Sequence, residues 1–276
     1  MKFGIAIFPT DYAISMAELG PAVEDRGFES LWVAEHSHIP GGRQSKWPGG
    51  DELPKHYWHA MDPFIALTVA AAATKKLLVA TGICLVIQRD TIQTAKQVAS
   101  LDHVSGGRFL FGVGAGWNRE EMADHGTDFS TRWTLLREKV EAMKAIWTQD
   151  EAEYHGAMVD FGPMWAWPKP VQKPYPPVIL GGSGPKILER VVRYADGWMP
   201  NRGDVIARIP ELQELAGAAG RPPIPVSYYP KPAAEEIERL AKAGVDRLIY
   251  YVPPDGRDAG LAKLDELAAM VRPYLD

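Results

Sequence analysis

Short, nearly continuous apolar runs alternate with segments of helical periodicity from one end of the chain to the other. The runs read FGIAIF (3–8), SLWVA (30–34), LLVATGI (77–83), RFLFGVG (108–114), PVILG (177–181), GWMP (197–200), IPVSYY (224–229) and RLIYYV (247–252). Unalternated apolar runs are what parallel strands need when both faces are covered. Between them lie segments such as STRWTLLREKVEAMKAIW (130–147), where Leu135, Val140, Met143 and Trp147 recur at helical spacing and mark a core-facing stripe. Repeated βα units imply a parallel sheet, and eight of them predict an α/β fold closed into a (β/α)8 TIM barrel. Periodicity does not report closure, so an open doubly wound sheet is the rival; the count of eight favours the barrel.

Helix ends carry their own signals. Ser15 with Glu18 reads as a capping box, and Asp62 with Pro63 as N-cap and first residue of an Ala-rich helix ending near Lys75. The segment 91–107 closes on glycine, as helices often do. Two stretches break the repeat: 37–60, rich in Gly, Pro, Trp and His, and 150–176, rich in Pro and aromatics. Long excursions inside compact domains usually have a function, so the first is expected to be a substrate lid. Neither resembles a linker, and the 276 residues suit a single domain, 1–276.

The net charge of −5 argues against a nucleic-acid partner, which calls for a basic stripe. The single cysteine, Cys84, excludes an internal disulfide framework and fits a reducing compartment. No stretch approaches the roughly 18 unbroken apolar residues of a membrane span. The first residues lack the apolar length of a signal peptide, so a cytoplasmic location is expected.

Barrel active sites gather at the C-terminal ends of the strands. Glu35, His36 and His38 stand where the second run stops, before Pro40 and Gly41. An ordinary loop histidine explains the pattern too; position is what makes His36 a candidate. His36-x-His38 and His56-x-x-His59, with Glu35, also allow a metal-hydrolase reading, but a catalytic zinc wants three protein ligands and the ends of strands five and six supply no histidine. GVGAGWN (112–118) lacks the last glycine of the dinucleotide fingerprint, because Trp117 stands there. Its glycines serve a tight turn or the close approach of a flat ligand equally well. LGGSGPKILERV (180–191) places Gly181, Gly182, Ser183 and Gly184 after a strand, with Pro185 in the preferred first position of a helix. Free N–H groups and the helix dipole there suit a phosphate, and Lys186 and Arg190 add charge; an ordinary strand–helix turn is the plainer alternative. Trp47, His56, Tyr57, Trp58 and His59 give the first excursion the makings of an aromatic lid.

Together these stretches resemble the luciferase-like, flavin- or deazaflavin-dependent barrel oxidoreductases. The matching pieces are MKFGIAIFP, GFESLWVAEH, DPFIALTVAAAATKKLLVATGI, QTAKQVASLDHVSGGRFLFGVGAGW, EYHGAMVDF, PKPVQKPYPPVILGGSGPKILERVVRYADGWMP and AGVDRLIYYV, covering nearly the whole chain in order. The coenzyme F420-dependent branch is the nearer likeness. The resemblance implies hydride transfer between coenzyme F420, a deazaflavin, and a small organic substrate, with FMN and a monooxygenase reaction as the alternative. It gives His36 the place beside the reactive ring, as proton donor and acceptor, with Glu35 as acidic neighbour holding the imidazole. It puts Gly82–Ile83 where relatives have a non-proline cis peptide behind the ring, Gly114, Gly116 and Trp117 at the cofactor wall, and Gly181, Gly182 and Ser183 at the phosphate. Lys186, Arg190 or Arg89 would offset the acidic net charge near that tail. It also implies a homodimer, through the Ala-rich helix 63–74. A binding protein of the same fold without turnover is the non-enzymatic rival. The chain departs from the family in CLVIQRDT (84–91), which lacks a proline common there, and in its short length beyond strand seven.

Overall fold

A computed structural model describes residues 1–275. Its elements run β1 (Lys2–Ile7), α1 (Met16–Asp25), β2 (Ser30–Val33), α2 (Pro63–Ala73), β3 (Leu78–Thr81), α3 (Thr91–Ser105), β4 (Phe109–Val113), α4 (Arg119–Asp124) and α5 (Arg132–Thr148). A hairpin follows, β5 (Ala152–His155) and β6 (Asp160–Met164), then β7 (Val178–Gly181), α6 (Ile187–Tyr194), β8 (Gly197–Met199), α7 (Val205–Ala218), β9 (Ser227–Tyr228), α8 (Ala234–Lys242), β10 (Arg247–Tyr251) and α9 (Arg257–Val271).

Eight strands pair in the order β8-β7-β4-β3-β2-β1-β10-β9, all in parallel. A parallel bridge between Trp198 and Val226 joins the two ends, so the sheet is a barrel and the open rival falls. All eight apolar runs become barrel strands. Their side chains alternate between two cores, as the strand period of two requires. Phe3, Ile5, Ile7, Leu31, Val33, Val79, Phe109 and Phe111 pack outward against the helices. Ala6, Trp32, Ala80, Leu110, Ile179, Met199 and Ile249 fill the lumen. Trp32 is the bulkiest of these; small residues on the neighbouring strands leave it room, and its indole N–H donates to Ser30 Oγ at 2.8 Å.

Several helix ends behave as their sequence reads. Asp62 caps α2, its carboxylate accepting from the amides of Phe64 and Ile65, with Pro63 at the first position. Gly106 ends α3 in the left-handed region. The expected capping box at Ser15 does not form: the Glu18 amide donates to the Ser15 backbone carbonyl at 3.1 Å, not to its hydroxyl, and the Glu18 carboxylate is taken by Arg257 at 2.7 Å. Pro185 lies in a turn rather than opening a helix, since α6 begins at Ile187. Helix α4 is a short addition that the repeat pattern did not announce. The excursion at 150–176 contains the antiparallel hairpin and two cis prolines, Pro168 and Pro174. The excursion at 37–60 is irregular except for a 3-10 turn at Lys55–Tyr57 and a single antiparallel bridge from Ala60 to Thr10. It is strapped to α4, because the Glu120 carboxylate accepts from the amides of Gln44 (2.9 Å) and Ser45 (3.2 Å). Hydrogen bonds from Ser45 and Gln44 hold that carboxyl well below the usual range. No helix among the described residues is long and apolar enough to cross a membrane.

Candidate active site at the barrel mouth

The C-terminal ends of β1, β2, β3, β4, β7, β8 and β9 open into a cavity of about 750 Å³. It collects every residue singled out from the sequence as catalytic or cofactor-binding: Glu35, His36, Gly82, Ile83, Gly114, Gly116, Trp117, Gly181, Gly182 and Ser183. Parallel strands all end on the same rim, so positions far apart in sequence converge there.

The imidazole of His36 is 8% exposed and is held from outside its own loop. Its Nδ1 lies 2.7 Å from Glu121 Oε2, and the other Glu121 oxygen accepts the Ser37 amide at 3.2 Å. Glu121 is fully buried on α4, a helix capped by Asn118, whose side chain accepts from the Glu121 amide. A carboxylate on Nδ1 makes that nitrogen the donor and leaves Nε2 to face the cavity as acceptor. Glu35 does not hold the imidazole. Its oxygens accept from the Leu85 amide (2.6 Å) and from Arg89 Nε (2.5 Å), and Arg89 also binds Asp62. Glu35 therefore fixes the loop after β3, and Arg89 is spent on two carboxylates rather than on a ligand. The reason is the strand period: consecutive side chains leave a strand end in opposite directions.

Beside His36 stands an aromatic wall. The Tyr57 ring lies 5.0 Å from that of His36 and 4.7 Å from Phe8, while Trp117 lies 5.8 Å from His36. His56 stacks on Tyr57, and burial pushes its pKa down, against an opposing pull from Asp255. The histidines of the metal reading are not brought together. His38 bonds Asp124, His59 bonds Asp11 and His56 stacks on Tyr57. Trp58 is half exposed and does not line the cavity.

The floor is the Gly82–Ile83 turn, whose peptide is cis, as the resemblance implied. Ile83 projects between β4 and β7, and a Cβ on Gly114 would meet its Cδ1 at 2.6 Å. Gly114 thus exists to admit Ile83, and Gly116 carries a left-handed φ of 62°. Tyr229 also reaches the floor; its hydroxyl is buried without a partner, and burial raises its pKa.

At the far end the glycine-rich loop 181–184 is braced from behind. Arg208 donates to the carbonyls of Ser183 (3.3 Å), Gly184 (3.2 Å) and Pro185 (3.4 Å). Because a trans peptide sets N–H opposite C=O, the amides of Gly184 and Lys186 point away from Arg208. The Ser183 hydroxyl ties the loop to Asn201 and Arg202, accepting from both amides. Arg132, Lys186, Arg190 and Arg202 line this end, and none has a carboxylate partner among the described residues. Burial, then Arg119 and Arg190, pushes the Arg132 guanidinium pKa down, and its Nε has no acceptor. Lys186 and Arg190 stand where the sequence placed them; Arg132, Arg202 and Glu121 were not foreseen. The Asn118-x-x-Glu121 spacing, a helix-start signal, was the one local clue to Glu121.

The architecture and much of the sequence are shared with known proteins. An uncharacterized protein of Mycobacterium tuberculosis (strain ATCC 25618 / H37Rv) is 41% identical, over 98% of each chain. The coenzyme F420-dependent tetrahydromethanopterin reductase of Methanopyrus kandleri superposes with a TM-score of 0.79 at 22% identity, covering 100% of this chain and 99% of that one. A monooxygenase of Streptomyces bottropensis superposes with a TM-score of 0.81 at 19% identity, over 100% of both chains. The sequence pattern of the luciferase-like monooxygenases matches residues 1–272, a span that takes in every strand end at the mouth, and this chain therefore belongs to that family of oxidoreductases.

Proposed function

We propose that this protein is a coenzyme F420-dependent oxidoreductase acting on a small, uncharged organic substrate, with His36 moving the proton. The observation that carries this reading is the division of one cavity into a cationic end and an aromatic end with a single oriented imidazole. The residues present fit a phosphate-bearing planar cofactor. Gly114 gives up a side chain so that Ile83 can stand against the wall, Arg132 Nε lacks an acceptor, and the loop amides face away from Arg208. The Gly181–Lys186 loop with Arg132 and Arg190 would hold the phosphate, and Ile83, Gly114 and Trp117 would flank the ring. When bound, a deazaflavin accepts or supplies a hydride. His36 Nε2 takes the accompanying proton from a substrate hydroxyl as it becomes a carbonyl, or returns it in the reverse direction. Glu121 steadies the resulting imidazolium at Nδ1. Tyr57, Trp117 and the excursion 37–60 act as a lid, excluding water from the reacting atoms. An uncharged substrate suits this end: its carboxylates, Glu35 and Glu121, are already engaged, and the unpaired cations lining the cavity stand at the glycine-loop end.

The same phosphate end would also take FMN, as a luciferase-like monooxygenase needs. Titrating the protein with coenzyme F420 and with FMN while following tryptophan fluorescence separates the two. Saturable quenching by the deazaflavin with none by FMN is expected; tight FMN binding without deazaflavin binding overturns the proposal. The homodimer is proposed on α2, where Ile65 is 62% exposed on an Ala-rich helix with Val69 beside it. Sedimentation at two-chain mass, falling to one-chain mass in Ile65→Glu, tests that pairing.

A further inference from the structure

Behind the phosphate loop lies a second, smaller cavity of about 220 Å³ between α5 and α6. It shares Trp133, Lys186 and Arg190 with the mouth and adds Arg137, Arg193 and Tyr194. Arg190 lies over the Trp133 ring at 4.3 Å, so a cation and an indole form the partition between the two spaces.

Its charges are unevenly used. Arg137 is held by Glu141 at 2.9 Å and Glu138 at 3.1 Å. Arg193 reaches a carboxylate only at 3.9 Å, on the same Glu141. Lys186 and Arg190 have no carboxylate partner among the described residues, and Glu189 is the one acid lining this second cavity. Tyr194 is the second, independent sign. It is 4% exposed, lines the cavity and carries a hydroxyl without any hydrogen-bond partner. A buried hydroxyl left unpaired costs about 1–3 kcal/mol, which an incoming acceptor would remove. A phosphate monoester brings at most about two negative charges. The mouth alone already sets Arg132, Lys186, Arg190 and Arg202 against it. The arrangement therefore suits a ligand with a further anionic group beyond its phosphate.

We infer that this cavity binds the carboxylate tail of the deazaflavin cofactor, with Arg193 and the Tyr194 hydroxyl as its ligands and Lys186 and Arg190 bridging tail and phosphate. The inference rests on the deazaflavin reading above. It also says where this chain discriminates: FMN ends at its phosphate and leaves the second cavity empty, whereas coenzyme F420 continues through a phosphodiester into glutamates.

The test compares dissociation constants, read from tryptophan quenching, for coenzyme F420 with its glutamates, for the same deazaflavin truncated before them, and for FMN. In the wild type the tailed form should bind about tenfold tighter or more than the truncated form, as expected for charge-assisted hydrogen bonds. Arg193→Glu should abolish that difference, and Tyr194→Phe should shrink it. Should neither variant fold, the wild-type gap must still collapse between roughly 0.05 and 0.5 M salt, because charge pairs at a rim are screened. Equal binding of tailed and truncated forms, or a gap indifferent to salt, overturns the tail site and leaves the deazaflavin reading standing. Binding of FMN alone overturns both.

Discussion

The two ends of the mouth are built by opposite means. At the aromatic end one side chain is fixed by another: His36 is set by a fully buried carboxylate on a helix 85 residues away in sequence. Its neighbours are rings, and its charges are paired. At the cationic end the scaffold is backbone, a glycine loop braced by Arg208, surrounded by cations without partners. The lesson is about where each end stores its specificity. On the proposed function, oriented side chains serve a reacting proton, whose position matters to a fraction of an ångström. On the same reading, free amides and unneutralised charge would serve an anion that must be held but does not react.

The sharpest break of this contrast is His36→Ala. Turnover should fall about 10²–10⁴-fold with cofactor affinity nearly unchanged, as loss of a general acid–base predicts. Unchanged turnover would remove His36 from the chemistry. Glu121→Gln comes next: turnover should fall roughly 10–100-fold, the usual cost of losing the partner that orients a functional histidine. The shape of its pH–rate profile should change as well, which a purely structural defect would leave alone. At the other end, Arg190→Ala should weaken cofactor binding on the order of tenfold, the scale of one charge-assisted hydrogen bond, while turnover at saturating cofactor holds. If it lowers turnover as strongly as His36→Ala, the division of labour fails.

The smallest effect concerns the excursion at 37–60. The folded pKa of His56 is lowered, first by burial, from an ordinary value of 6.5. A histidine depressed in the folded state keeps its contribution above the unfolded value and loses it as pH falls below. Amide exchange at residues 55–58 should therefore accelerate as pH drops through about 6.5, after correction for intrinsic rates, and His56→Phe should flatten that response.

Much of the architecture was legible in the chain itself. Eight unalternated apolar runs separated by helical segments leave few options besides a parallel barrel, and such a barrel places residues 35–36, 82–83, 114–117 and 181–183 on one rim. The glycine loop and its cations were visible for the same reason, since strand, glycine and helix start are local signals. What misled was adjacency. Glu35 stands next to His36 in sequence, but successive side chains at a strand end diverge, so it went to Leu85 and Arg89.

Glu121 shows the complementary limit. Glu120 and Glu121 are identical residues side by side, yet one straps the excursion at the surface and the other is buried beneath His36. The Asn118-x-x-Glu121 spacing marks Glu121 only as a third helical residue; which of the two is buried depends on which face of α4 meets the loop after β2. The sequence by itself thus determined the barrel, the rim and the glycine-rich loop after β7, all properties of period and punctuation. Only the tertiary structure decided which carboxylate orients the imidazole, which cations stay unpaired and that a second cavity opens behind the loop. Those depend on hydrogen bonds and charge pairs between segments far apart in the chain, which short-range periodicity does not encode.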